Sequence, residues 1–178
     1  KRSGLAARVV GFARRDSTLS AARDIGAIDQ GTTVLEEVLS GADLVFFAVP
    51  VKAAIRLIEE TAKATAVLSR ERRPLLTDAC STKVEVVEAA RRFLPEGVDF
   101  VGGHPMAGSE ASGPEQARED LFTGASWVLT PDETVRPEAV AAAKIIVSTA
   151  GAKEVVLQPG VHDEITALVS HLPHLLSA

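Results

Sequence analysis

Apolar residues in this chain fall alternately into short continuous runs and into longer stretches where they recur every three or four positions. The runs predict strands and the stretches predict helices. RVVGF at 8–12 is the first run, and a helix follows over about 17–26 with Gly26 as its stop. Thr32 and Thr33 are placed to cap a second helix, VLEEVLSGA. DLVFFAV at 43–49 is apolar after its first residue and ends at Pro50, the pattern of a strand buried on both faces.

The alternation continues with a helix at 51–68, the strand PLLTDA at 74–79, a helix at 81–93 and the strand VDFVGG at 98–103. After a loop come a short helix at 114–120, the strand ASWVLTP at 125–131, a helix at 136–150 and the strand KEVVL at 153–157. This order predicts the α/β class: a Rossmann-like, doubly wound, mostly parallel sheet with helices on both faces. From Gln158 the style changes. Val161, Ile165, Leu168, Val169 and Leu172 follow helical spacing until Pro173 interrupts it. Residues 1–158 therefore read as a dinucleotide-binding domain and 159–178 as the start of an all-helical domain. At the other end, KRSGL reads as the last turn of a helix with Gly4 just past its end. The central strand and glycine-rich turn that open such domains do not precede RVVGF. The chain thus reads as an excerpt whose first strands are left with unpaired edges.

Composition narrows the class. Aromatic residues make up 4% of 178, with no Tyr and one Trp, so the core must be aliphatic. A net charge of -5 and the lack of a basic stripe argue against nucleic acid as the main partner. No apolar run has the length of a membrane span, and no secretory signal opens the chain. A single cysteine, Cys80, excludes an internal disulfide framework and fits a reducing cytoplasm. These features predict a cytoplasmic globular protein and say nothing of its chemistry.

In doubly wound sheets, ligands bind at the carboxyl ends of the strands. The unusual loops all follow strands: ARRDS at 13–17, VPVK at 49–52, DACSTK at 78–83 and HPMAGSE at 104–110. Where an acidic residue would bind the ribose hydroxyls of NAD, this chain offers Arg14 and Arg15, with Ser17 close behind. Guanidinium groups pair with a 2′-phosphate, which favours NADP over NAD. The alternative is a solvated loop in which Asp16 or Ser17 caps the next helix. Val49 and Pro50 border the same cofactor edge. In DACSTK, Ser81 or Thr82 can act as an N-cap, or Ser81 can present its hydroxyl to substrate or nicotinamide. Asp78 belongs to the cofactor loop, and Lys83 adds positive charge at a helix N-terminus that already favours anions. Cys80 reads as a small residue filling tight space.

His104 stands between Gly102-Gly103 and Pro105. The glycines allow another molecule close to the backbone, Pro105 stiffens the loop, and a neutral imidazole can accept a hydroxyl proton. In SHLPH, His171 and His174 lie three apart, but no acidic or cysteine ligand accompanies them at a familiar spacing. No metal site is expected there; the two imidazoles fit a substrate cleft better.

GGHPMAGSEASGPEQAREDLFTGASWVLTP resembles the signature region of the prephenate and arogenate dehydrogenase family. DACSTK is similar to its Asp-x-x-Ser-x-Lys loop, with Cys80 where glycine is common, and SHLPH resembles the motif that opens its helical domain. The resemblance implies oxidative decarboxylation of prephenate or arogenate in tyrosine biosynthesis, with hydride passing from C4 of the ring to NAD(P). It implies that His104 accepts the C4 hydroxyl proton and that Ser81 orients that hydroxyl. Ser109 and Glu110 would border the substrate mouth, with His171 and His174 on its helical side. A homodimer through helices beyond Ala178 is implied as well. Two other readings stay open. One is another β-hydroxyacid-type NADP dehydrogenase, which needs a catalytic lysine in a later helix. The other is a non-catalytic dinucleotide-binding regulatory module in which His104 is structural.

Overall fold

The computed structural model describes residues 4–69, 73–108 and 113–171. Among the described residues seven strands alternate with helices, the six expected ones in their expected order and one more between the first two helices. They are β1 (Val10–Phe12), α1 (Asp16–Asp24), β2 (Gln30–Thr32), α2 (Leu35–Leu39), β3 (Leu44–Phe47), α3 (Val51–Thr65), β4 (Leu75–Asp78), α4 (Val84–Phe93) and β5 (Phe100–Pro105). A 3₁₀ turn (Pro114–Gln116), β6 (Ser126–Pro131), α5 (Pro137–Thr149), β7 (Lys153–Val156) and α6 (Pro159–Thr166) follow, and α6 widens into a π-helical turn over Ala167–His171. Among the described residues no helix is long and apolar enough to cross a membrane.

The strands form two sheets. β1 and β2 pair in parallel, and β3-β4-β5-β6-β7 form a second sheet in that order. Within it only the β5–β6 pair is antiparallel, so the sheet is mostly parallel, as the α/β alternation predicts. The first helix ends as expected. Gly26, at φ +71°, follows α1, and the N–H groups of Gly26 and Ala27 return to the carbonyls of Arg23 and Ala22.

The core has two faces. On one, Val45, Phe47, Leu76 and Phe100 pack against Ala54 and Ile58 of α3 and Val86, Val87 and Ala90 of α4. On the other, Val101, Trp127 and Leu129 pack against Ala143 and Val147 of α5. The expectation that 43–49 is buried on both faces fails here. Val45 and Phe47 are buried, but Leu44 and Phe46 are 37% and 38% exposed. The α5 cover lies over β5 and β6, and Phe46 instead sets its ring against the edge of Trp127.

Three local expectations change with it. β2 (Gln-Gly-Thr) was legible in no apolar pattern, and Thr32 ends this strand instead of capping a helix. Its hydroxyl accepts from the Val34 N–H (3.0 Å) and donates to Glu37 (2.6 Å), while Thr33 has no capping role. The helix expected at 114–120 is a single 3₁₀ turn. His104 and Pro105 lie inside β5, opposite Val128 and Trp127, so the segment after the glycine pair begins as strand and not as loop.

That register explains the glycines. A Cβ on Gly102 would stand 2.3 Å from Thr130 Oγ1, and one on Gly103 would stand 2.6 Å from the carbonyl oxygen of Asp78. The protein's own neighbouring strands occupy the space that glycine leaves, so the pair serves sheet packing and not ligand approach. Gly103→Ala must push a backbone carbonyl aside. It is expected to destabilise the protein by about 1–3 kcal/mol, read as a fall in the urea midpoint; an unchanged midpoint would refute the close packing of β4 on β5.

Candidate active site

Because β3, β4 and β5 run parallel, their carboxyl ends share one edge of the sheet. The turn from β4 into α4 is held at that edge by buried charge. Asp78, the last residue of β4, is 0% exposed and so is Lys83, five residues on. The Lys83 ammonium donates to Asp78 and to the carbonyl of Gly103 (2.7 Å). Asp78 also accepts from the N–H groups of Cys80 and Gly103, both at 2.9 Å. Lys83 therefore does not project charge from a helix N-terminus, as its position in DACSTK suggested. Fully buried and bonded to one another and to Gly103, the pair clamps β4, α4 and β5 together behind the loop. Cys80 is buried in the same turn, and its thiol lies 3.4 Å from the Val49 carbonyl. Burial first, then the Asp78 carboxylate, pushes that thiol up to about 12, which makes it a poor nucleophile.

His104 emerges from β5 beside this clamp. Its Nδ1 lies 2.8 Å from Nε2 of His162, whose own Nδ1 lies 2.7 Å from Oδ1 of Asp163. The two imidazoles meet edge to face, with centroids 5.0 Å apart. His104 is half-buried, and desolvation, reinforced by His162 and Lys83, lowers it to about 4. It is neutral at pH 7 and can accept a proton. Asp163 also accepts from the N–H groups of Lys83 (2.7 Å) and Val84 (2.9 Å). That carboxylate thus caps α4, the role proposed for Ser81 or Thr82. Burial pushes Asp163 up, but the Val84 N–H, His162 and the Lys83 N–H together hold it below the usual carboxylate range.

His162 and Asp163 escaped sequence reading. The apolar residues of their helix drew attention to the wrong face: Val161, Ile165, Leu168 and Val169 are 45–66% exposed, whereas His162 and Thr166 are buried. The available signal was the polar pair four residues apart, one face of a helix turned toward another polar group. α6, expected to open a separate helical region, packs on α4 and β6.

The other expected site residues are spread along the same loops. Arg14, Arg15 and Ser17 are exposed at the start of α1, and neither Asp16 nor Ser17 caps that helix, since both lie within it. Pro50 is exposed and Val49 half-buried where β3 passes into α3, and Ser81 is exposed after β4. α1 also packs against the 3₁₀ turn at Pro114–Gln116, downstream of β5. Ser109, Glu110 and His174 lie outside the described residues; His171 ends the π-helical turn. These loops fit a dinucleotide: exposed guanidinium groups stand beside α1, and neither α1 nor α3 has an N-cap side chain on its first N–H groups.

Comparison with known proteins agrees with this geometry. Residues 1–156 match the family described as prephenate dehydrogenase, nucleotide-binding domain. Prephenate dehydrogenase of Bacillus subtilis is 36% identical over 171 residues, which cover 96% of this chain and 45% of that protein. Cyclohexadienyl dehydrogenase of Zymomonas mobilis is 31% identical, covering 88% of this chain and 51% of that protein. The chain thus spans about half the length of these curated relatives. A structure of Aquifex aeolicus prephenate dehydrogenase in complex with hydroxyphenyl propionate and NAD+ superposes with a TM-score of 0.88 at 31% identity, covering 98% of this chain and 59% of that one. Synechocystis arogenate dehydrogenase gives 0.80 at 32% identity, over 92% of this chain and 56% of that one. With the strand order, the Asp78–Lys83 turn and the histidine on β5 in place, the match over 156 residues places this chain in the prephenate dehydrogenase nucleotide-binding domain family.

Proposed function

We propose that the whole protein catalyses the NAD(P)-dependent oxidative decarboxylation of prephenate or arogenate in tyrosine biosynthesis. The observation that carries this reading is His104: a half-buried, neutral imidazole at the ligand edge of a nucleotide-binding sheet, backed by a second histidine at 2.8 Å. The oxidised nicotinamide, when bound, supplies a hydride acceptor, and loss of carbon dioxide aromatises the ring. The protein's share is alignment and one base. His104 accepts the C4 hydroxyl proton, and Ser81, exposed on the next loop, orients that hydroxyl. Ser109 and Glu110 border the substrate mouth, and His171 and His174 shape its helical side. The Asp78–Lys83 clamp keeps the β4 loop in place beneath the dinucleotide, with Val49 and Pro50 flanking it. Assembly as a homodimer is part of the same reading.

Arg14, Arg15 and Ser17 hold the adenosine ribose, and two exposed guanidinium groups there favour the 2′-phosphate of NADP over the free hydroxyl of NAD. The test is a four-way assay of the full-length enzyme, pairing prephenate or arogenate with NAD or NADP. Turnover of one ring substrate and a higher kcat/KM with NADP are expected. Arg14→Ala is expected to lower kcat/KM for NADP about tenfold or more, since a hydrogen bond to a charged group is worth ~1.5–3 kcal/mol, and to leave NAD almost unchanged. A preference for NAD before and after the substitution would remove the phosphate reading; no turnover of either ring substrate would remove the reaction.

A further inference from the structure

The hydrogen-bond chain behind His104 has a direction that donor and acceptor chemistry fixes. Asp163 is held by two backbone N–H donors and lies below the usual carboxylate range, so it has no proton to give. Its 2.7 Å contact with Nδ1 of His162 therefore needs a hydrogen on that ring nitrogen. In a neutral His162 the other nitrogen, Nε2, is then bare and only accepts. Two groups point at it: Nδ1 of His104 at 2.8 Å and the Thr166 hydroxyl at 3.3 Å. Both must donate. Nδ1 of His104 carries its hydrogen inward, and Nε2 on the far side of the ring is left with a free lone pair.

We infer that Asp163 and His162 set the tautomer of His104 and then take over the proton it receives, which makes His162 a positioning and relay residue of the site. The chemical use of this relay rests on the dehydrogenase reading; its hydrogen-bond order does not. As the substrate O–H bond breaks, a bond forms from that hydrogen to Nε2 of His104. The oxygen's electron pair closes the new carbonyl while hydride departs to the oxidised dinucleotide. The Nδ1–H bond of His104 breaks as one forms to Nε2 of His162. The positive charge comes to rest on His162, which has a carboxylate at 2.7 Å.

Among the described residues His104 has no such counter-ion in contact. The charged or titratable groups around it, again among the described residues, are the Lys83 ammonium and His162, both of which oppose a positive charge, and Asp78 and Asp163, which favour one. Burial is the largest influence and keeps the ring neutral. An imidazole this reluctant to hold a proton serves better as a transit point than as a final acceptor. His162, 1% exposed and tied at both ring nitrogens, is built as the terminus.

The test uses full-length enzyme labelled with ¹⁵N at histidine, and needs no substrate for its first part. Nitrogen shifts and ring couplings at pH 7 are expected to show both His104 and His162 as the Nδ1–H tautomer, each assigned by its loss in His104→Asn or His162→Gln. Finding His104 as the Nε2–H tautomer would overturn the inference whatever the enzyme's substrate. His162→Phe, which removes the acceptor, is expected to release His104 into a mixture of tautomers; an unchanged tautomer would overturn the positioning role. His162→Gln keeps a hydrogen-bonding group near Nε2 but cannot take up a proton. It is expected to lower kcat about 10²-fold or more, with KM and dinucleotide affinity within about twofold; an unchanged kcat would overturn the relay. A wild-type enzyme that turns over neither ring substrate would sink the dehydrogenase reading and leave the tautomer result standing.

Discussion

On the dehydrogenase reading proposed above, replacing His104 with asparagine in the full-length protein is expected to lower kcat by about 10²–10⁴-fold, the usual contribution of a positioned general base. The choice of asparagine matters. Its amide nitrogen falls near the position of Nδ1 and can still donate toward Nε2 of His162, which receives His104 at 2.8 Å. Nothing in the place of Nε2 remains to accept a proton, so the substitution removes basicity with little loss of packing. Dinucleotide affinity should stay the same, because the exposed Arg14 and Arg15 at the start of α1 are untouched. Single-turnover reduction of the dinucleotide, with its binding titrated separately, checks both halves. Unchanged turnover would remove His104 as the base.

A second large effect is expected at Lys83→Met, and it should appear as lost stability. The substitution conserves the apolar length of the side chain but leaves Asp78 fully buried without its counter-charge. Removing one partner of a buried ion pair costs about 3–5 kcal/mol, because the remaining charge keeps its desolvation penalty. The two backbone N–H groups at 2.9 Å offset part of this. Adding Asp78→Asn, which removes the stranded charge, is expected to restore much of the loss. Denaturant midpoints of the two variants and the wild type check this. A single variant as stable as the wild type would mean that the ammonium and the carboxylate do not depend on each other.

Lys83 also shows where sequence reading stops. Elements with a strong period were legible: the helices at 51–65, 84–93 and 137–149 and the strands they connect lie where apolar spacing puts them. The Gln-Gly-Thr strand was not, since three residues without an apolar pattern carry no signal until a neighbour pairs with them. Charge misled in the same way. A lysine at the start of a helix reads as a charge offered to an anion, because nothing linear shows that the Gly103 carbonyl, twenty residues on, lies 2.7 Å from its ammonium. His104 was legible through its odd surroundings, but for a partly mistaken reason. The glycines before it answer to Thr130 and Asp78, contacts made by strand register. Its partner His162 lies 58 residues away and could be joined to it only by the packing of α6.

The capping of α4 by Asp163 bears on how this protein can be cut and recombined. The family match ends at residue 156, which invites a module boundary just after β7. A chimaera joined there would take α6 from another parent. It would bring in foreign residues at the two positions that close the first turn of α4 and hold the inner nitrogen of His104. A transferable unit that keeps the support of His104 therefore extends at least through Thr166. A nucleotide-binding module excised at the end of its sheet would carry the histidine but leave its partners behind.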